Sequence, residues 1–382
     1  MTPGDDSLTA RIALSMLSGM DTALADRLTT ALGSPEAVMT APELELKALG
    51  DVPKAVVPIQ KRYQATERAR REVEFLKSTN IRPVWYRDKH YPTRLLNATR
   101  PPVMIYTLGD VDLNSSVTIG IVGTRHATAY GNTVTEQIVN DLASRIDNIV
   151  TVSGLAYGID VAAHRASLAA GIPTVGVLGH GLNRIYPAVH RDTAGRMVRQ
   201  GGMLLSDYDH EANVNGYNFL ARNRLIAALS DVLVVVESGD QGGALATARL
   251  AAKCGSRVAA VPGRITDVYS VGCNQLIATG QATAITSADD IITLMGWQCK
   301  ENKPTAETKP ATPDLTPDER ALLHLIMTVP GCDNDMLAST SGMSAARIMT
   351  VMIGLEMKNV VTLQPGNRYE VIQTIDPASL LT

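Results

Sequence analysis

Apolar residues follow three different patterns along the chain. Before residue 78, Ile12, Leu14, Met16 and Leu17, then Leu24, Leu28 and Leu32, recur at helical spacing. Gly33-Ser34-Pro35 and Gly50-Asp51-Val52-Pro53 interrupt that run. A long polar helix is expected from about Pro58 to Lys77, carrying Lys61, Arg62, Arg68, Arg70 and Arg71. Past Ile81 the pattern changes to short Val/Ile/Leu runs, each followed by a Gly-bounded helical stretch. Strands are expected at Val117–Val122, Ile149–Val152, Thr174–Leu178, Met203–Leu205, Val232–Val236 and Arg257–Val261. Helices fit between them at Asn132–Arg145, Asp160–Ala170 and Ala244–Lys253. Nearly continuous apolar strands need cover on both faces, so the fold class is α/β: a Rossmann-like, doubly wound, mostly parallel sheet.

Cys299 to Asp314 is rich in Lys, Glu, Pro and Thr, has little to bury, and reads as a linker. Thr316, Pro317 and Glu319 then form a helix start: N-cap, first helical position and capping box. Three helices follow, near 317–328, 333–340 and 344–358. Val360–Leu363 and Tyr369–Ile372, around Pro365-Gly366-Asn367, pattern as a hairpin. Three helices and a hairpin make a winged-helix arrangement. The expected division is a helical module at 1–78, the Rossmann-like domain at 79–298, a linker at 299–315 and a winged-helix domain at 316–382.

Charge narrows the function. The 35 basic and 38 acidic residues give a net charge of −3, which excludes a protein that coats DNA by bulk charge. Between residues 115 and 298, however, 12 of the 13 basic residues are Arg, the better bidentate ligand for phosphate. Aromatics are 4%, so a wide stacking platform is not expected. The acidic start lacks a signal-peptide pattern, and no apolar run approaches the ~18 residues of a membrane span, so a cytoplasmic protein is expected. Cys254, Cys273, Cys299 and Cys332 are too dispersed for a zinc site or a disulfide framework. No metal or cofactor is expected.

Candidate chemistry lies in the Gly-bearing turns after the strands. Gly123-Thr124-Arg125, with Gly131 near the next helix start, is either a tight turn or an anion cradle. Ser153-Gly154-Leu155-Ala156-Tyr157-Gly158-Ile159-Asp160 repeats the arrangement. Asp160 and His164 share a helical face, as a cap or as an acid–base pair. Gly179-His180-Gly181 lacks the rest of a dinucleotide fingerprint, and NAD is discounted. Arg222-Asn223-Arg224 precedes an apolar helix. It needs a partner, either phosphate or the internal acids Asp207, Asp209 and Glu211. Gly242-Gly243 opens a helix whose Thr247 and Ala248 are small. Ligands in open α/β sheets bind at this edge.

Together these segments resemble the DprA/Smf family, the DNA-processing protein A of natural transformation. The resemblance rests on Pro92-x-x-Leu95, Pro101-Pro102, Gly123-Thr124-Arg125 with Tyr130-Gly131, and Ser153-Gly154-x-Ala156-x-Gly158-Ile159-Asp160 with Ala163-His164. It continues through Tyr186-Pro187, Phe219 with Arg222-Asn223-Arg224, Gly243-Ala244-Leu245 with Thr247-Ala248, Pro262-Gly263 and Gly272-Cys273-Asn274 with Leu276-Ile277. It implies a non-enzymatic protein that binds and protects single-stranded DNA, loads RecA recombinase, and forms a homodimer through its Rossmann-like domain. It implies DNA contact from Gly123, Thr124, Arg125, Ser153, Gly154 and Gly158. The same set extends to Arg222, Arg224, Gly242, Gly243 and Thr247, with Asn223 bracing the loop and Phe219 stacking a base.

Departures from the pattern are specific. Leu220 replaces a usual Pro, and the loop from Asp207 to Phe219 has no Lys but carries Asp209 and Glu211. Leu17-Ser18-Gly19-Met20-Asp21 resembles a helix-hairpin-helix turn with Asp21, which would repel phosphate, in place of its second Gly. Helix 344–358 offers only Arg347 and Lys358 as cations, which favours a protein-contact or regulatory role over groove reading. The enzymatic alternative is a nucleotide phosphoribohydrolase of the lysine-decarboxylase-like relatives. Its P-G-G-x-G-T-x-x-E motif is reduced here to Gly242-Gly243-Ala244-Leu245-Ala246-Thr247, without the Pro or the Glu.

Overall fold

A computed structural model describes residues 3–300, 315–328, 334–358, 360–364 and 368–371. Its two compact units are residues 1–300 and 301–382. In the first, five helices precede the sheet: α1 (Pro3–Ser15), α2 (Thr22–Leu32), α3 (Pro35–Thr40), α4 (Glu43–Ala48) and α5 (Ile59–Lys77). The two predicted breaks are real. Ser34 caps α3 with Pro35 at its first position, and Asp21 caps α2 by accepting from the Leu24 amide at 2.9 Å. Arg62 on α5 is fully buried. Its guanidinium donates to the carbonyls of Val38 (2.8 Å), Met39 (3.0 Å), Ala41 (2.7 Å) and Val57 (3.1 Å). It binds the short helices to α5 and is not available to a ligand.

Nine strands form one sheet: β1 (Arg82–Trp85), β2 (Met104–Gly109), β3 (Val117–Val122), β4 (Ile149–Ser153), β5 (Thr174–Leu178), β6 (Met203–Ser206), β7 (Val232–Val235), β8 (Arg257–Ala260) and β9 (Thr283–Ala284). The order is β1-β2-β6-β5-β4-β3-β7-β8-β9. Strands β3 to β9 pair in parallel, while β2 pairs antiparallel with both β6 and β1. The antiparallel pair is a finding the sequence pattern did not give. The chain runs outward from β3 to β6 and then returns to place β7 on the other side of β3. The switch point therefore lies between β3 and β7.

The helices threaded through the sheet are α6 (Ala129–Arg145), α7 (Ile159–Ala169), α8 (Arg191–Arg199), α9 (Gly216–Leu229), α10 (Gly243–Lys253), α11 (Val271–Ala278) and α12 (Ala288–Met295). Strand alternation sends Ile119, Ile121, Val232 and Val234 to a core shared with α6, α7 and α12. It sends Leu233 and Val235 to the opposite core, shared with α8 to α11 and the N-terminal helices. At Gly120 a Cβ would come within 2.7 Å of Leu233 Cδ1, which is why β3 carries no side chain there. The return crossover from β6 to β7 runs through α9, so the first turn of α9 sits at the carboxyl edge of the strands.

The second unit has α13 (Pro317–Thr328), α14 (Asn334–Ser341), α15 (Ala345–Met357) and a hairpin of β10 (Val361–Gln364) and β11 (Arg368–Val371). The expected capping box forms: the Glu319 amide donates to Thr316 Oγ1 at 3.3 Å, and Glu319 Oε2 accepts from the Thr316 amide at 2.7 Å. Leu322, Leu323, Leu337, Ile348, Leu355 and Val361 make its core. Arg347 of α15 and Lys358 at its C-cap are both paired within the unit, Arg347 with Asp318 at 2.6 Å and Lys358 with Glu319 at 2.7 Å. Residues 301–314 of the predicted linker at 299–315, the turn at Pro365-Gly366-Asn367 and Cys332 lie outside the described residues.

Candidate nucleic-acid interface

Strand β3 ends at Gly123-Thr124-Arg125. Gly123 lies so close to α7 that a Cβ would meet Ile159 Cγ1 at 2.5 Å. The Thr124 amide donates to the Glu237 carbonyl at 2.7 Å. Arg125 is exposed, with no hydrogen-bond or ion-pair partner among the described residues. The N-terminus of α6 is not the open anion cradle that the Gly131 spacing allowed. The buried Glu237 carboxylate already accepts there from the Thr128 amide (3.0 Å) and hydroxyl (2.6 Å). The protein's own anion fills that helix end.

The second turn is likewise internally satisfied. Ser153 is buried and donates to the Ile121 carbonyl at 2.6 Å, tying β4 to β3. The Gly154 amide donates to Asp160 Oδ2 at 3.1 Å. Gly158 adopts φ +73°, and a Cβ there would meet the Thr124 carbonyl oxygen at 2.2 Å, so glycine is what lets the two turns touch. Burial raises the Asp160 carboxyl, and the nearby Arg222 charge opposes that shift. His164 does not form an acid–base pair with Asp160. Its Nδ1 shares a hydrogen bond with the Thr174 hydroxyl at 2.7 Å, and burial pushes it down to about 3, which keeps the ring neutral.

Helix α9 begins at Gly216, capped by Asn215, which accepts from the Asn218 amide at 2.8 Å. Arg222, Asn223 and Arg224 therefore sit inside the helix rather than before it. Residues two apart on a helix point about 200° apart, so the two arginines face opposite ways. Arg222 is 4% exposed and donates to the carbonyls of Gly154 (2.8 Å) and Val177. Arg224 pairs with Asp207. Of the phosphate and internal-acid alternatives for Arg224, this geometry matches the internal acid. The other two loop acids are engaged by α5: Asp209 by Arg68 at 2.7 Å and Glu211 by Arg71 at 2.6 Å.

A groove at the switch point brings together Gly123, Arg125, Phe219, Arg222, Asn223, Gly243 and Thr247. A depression beside it joins Arg125 and Gly154 to Tyr157, Tyr186 and Phe219. Phe219 stacks on Tyr186 at 5.5 Å between ring centroids, tilted by 26°, and half of Tyr186 stays open to solvent. Asn223 is half-buried in the groove with no hydrogen-bond partner among the described residues. The N-terminus of α10 is the open one here. Gly242 gives no side-chain cap, and no acid occupies its first turn. Thr247 is buried, and its hydroxyl donates to the Gly243 carbonyl at 3.1 Å. Thr124, Ser153, Gly158, Arg224 and Gly242 do not line the groove or the depression. Tyr157 and Tyr186 were not picked out as site residues in the sequence; their signal was a Tyr in each of two Gly-rich turns.

The groove holds about 90 Å³, against roughly 300–1,000 Å³ for an enclosed small-molecule site. The acid that lines it, Asp160, is held by a hydrogen bond from the Gly154 amide. Position 250, where the hydrolase motif has Glu, is Leu250. The geometry does not favour the hydrolase alternative. Among the described residues no His, Cys, Asp and Glu cluster is placed to hold a metal, and no helix is long and apolar enough to cross a membrane.

Fold and site thus define a doubly wound α/β protein with an Arg- and aromatic-lined groove at its switch point. Residues 82–296 match the model of the DNA recombination-mediator protein A family, and residues 306–367 match the DprA winged helix domain. The chain belongs to that DprA/Smf family. It is 36% identical over 267 residues to a putative DNA processing protein DprA of Mycobacterium tuberculosis, covering 69% of this chain and 68% of that one. The structure of DNA processing protein A from Streptococcus pneumoniae superposes with a TM-score of 0.63 at 27% identity, covering 75% of this chain and 97% of that one. DNA processing protein A from Helicobacter pylori, described for its unique single-stranded DNA binding mode, gives 0.51 at 29% identity, covering 57% and 97%.

Proposed function

We propose that this is a cytoplasmic recombination mediator that binds single-stranded DNA along the groove and delivers it to a RecA-type recombinase. One observation carries the reading. The unpaired Arg125 guanidinium lies beside the Phe219–Tyr186 stack, so a backbone phosphate and an unstacked base find partners at neighbouring points. Asn223 and the α10 amides extend the donor wall. A duplex hides its bases inside the stack and cannot use the aromatic pair. The test is anisotropy with labelled single- and double-stranded oligonucleotides across salt. Tighter single-strand binding with a negative log–log salt slope is expected, and faster recombinase filament formation on the bound strand. Equal affinity for the duplex, or binding indifferent to salt, would overturn the reading.

We also propose a homodimer through this domain, with the helical module at 1–78 and the winged-helix domain at 316–382 as its flanks. Ile265 is 91% and Val268 71% exposed on the segment after β8, with Val271 beside them. Adjacent exposed apolar side chains of this kind mark a contact surface. Replacing Ile265 and Val268 together by Asp is expected to halve the mass seen by light scattering. An unchanged mass would place the dimer contact elsewhere.

A further inference from the structure

A second opening lies on the other side of the first turn of α9. It holds about 550 Å³ between the turn at Ser15–Gly19 and the loop from Asp207 to Asn218. That volume lies within the range of small-ligand sites. The loop is clasped to α5. The His210 amide donates to the buried Glu72 carboxylate at 3.0 Å, and the His210 ring stacks on Phe75 at 4.3 Å.

The lining selects a ligand class. Asp207, Asp209 and Glu211 are each paired, with Arg224, Arg68 and Arg71. Arg68, the one cation in the lining, is held by Asp209 at 2.7 Å and faces Glu211 at 3.8 Å, and the lining carboxylates are each paired in turn. What remains is hydrogen-bonding. Tyr106, 3% exposed, lines the cavity with a hydroxyl that has no partner among the described residues, and Asp207 Oδ1 is also unpartnered. The Tyr208 ring and the Asn213 and Ser18 side chains complete the wall. Flat, uncharged groups with mixed donors and acceptors on one edge match such a lining.

The cavity and the groove share α9: Asn218 lines the one and Phe219 the other. The exposed Tyr217 stands between them at the helix tip. We propose that this cavity is a second nucleobase pocket, filled by a base of the same strand after it crosses the tip of α9. The proposal rests on the groove reading and extends it. Phosphates stay outside, over Tyr217, and the base inside meets Asp207 Oδ1, Asn213 and the Tyr208 ring.

The test is an abasic scan of a single-stranded oligonucleotide on the full chain, beside Ser18→Trp and Asn213→Trp. Both side chains are exposed and make no hydrogen bond among the described residues, and the Asn213 carbonyl that accepts from Asn218 Nδ2 at 3.0 Å is backbone, so the bulky side chains narrow the cavity without removing a bonded group. Wild type should show two separated positions where base removal weakens binding, the second by about tenfold. Ser18→Trp should lose sensitivity at the second position alone, and Asn213→Trp should follow it. A single sensitive position in wild type, or Ser18→Trp and Asn213→Trp indistinguishable from wild type at every position, would overturn the pocket. Arg125→Ala in parallel separates the two readings. If it abolishes binding while the Trp variants change nothing, the groove stands and the second pocket falls. If it changes nothing, both fall.

Discussion

Replacing Arg125 by alanine is expected to weaken single-strand binding by about ten- to a hundredfold and to leave the fold intact. The magnitude follows from losing one charge-assisted hydrogen bond to phosphate, worth roughly 1.5–3 kcal/mol. The loss should be similar for all sequences, because a phosphate contact reads no base, and the salt slope should fall by about one. Stability should move by less than about 0.5 kcal/mol, since the guanidinium is exposed and holds nothing in the free protein. Arg125→Lys keeps the charge but loses the fork, so it should recover part of the affinity. Anisotropy titrations at two salt concentrations, with a thermal melt, check all of this. An Arg125→Ala protein that binds as wild type does would remove the central contact from the proposed groove.

The sheet was legible because parallel strands buried on both faces leave nearly continuous Val/Ile/Leu runs. Val117–Val122 and Thr174–Leu178 fall where the pattern puts them. The β1–β2 pair was not legible: Arg82-Pro83-Val84-Trp85 is too short and mixed to give a period, and it is a strand because β2 offers it an edge. In the site, residue types were easier to read than their partners. Gly123, Arg125, Phe219 and Asn223 meet in one groove, as the turn positions implied. Hidden from the sequence was the occupancy of the α6 end, which Glu237 fills from 109 residues beyond Thr128. Asp160 was legible as a group that hydrogen-bonds its own turn, though it accepts from the Gly154 amide instead of capping α7. The start of α9 was misplaced for a local reason. Its cap, Asn215, lies in a run of turn-forming residues, so the apolar stretch from Leu225 marks only the buried half of the helix. Moving the start back to Gly216 turns Arg222 inward.

Because of that turn, Arg222→Ala should act first on stability. Its guanidinium is buried at the junction of three elements, donating to carbonyls that end β4 and run through β5, close to Asp160. Truncation leaves the Gly154 and Val177 carbonyls without this donor and the buried Asp160 without its compensating charge. Removing one member of a buried charged set costs about 3–5 kcal/mol, a large part of the roughly 5–15 kcal/mol that holds a domain together. Arg222→Lys should not rescue it, because one ammonium on a shorter reach does not satisfy two carbonyls fixed by the guanidinium plane. Chemical denaturation should therefore show a lower midpoint for both variants, with single-strand binding lost only in proportion to unfolding. Binding at low temperature, where the folded fraction is restored, should return towards wild type. The opposite result, an unchanged midpoint with binding abolished, would mean that Arg222 leaves its carbonyls to take a phosphate, and the groove would then be built by the DNA that enters it.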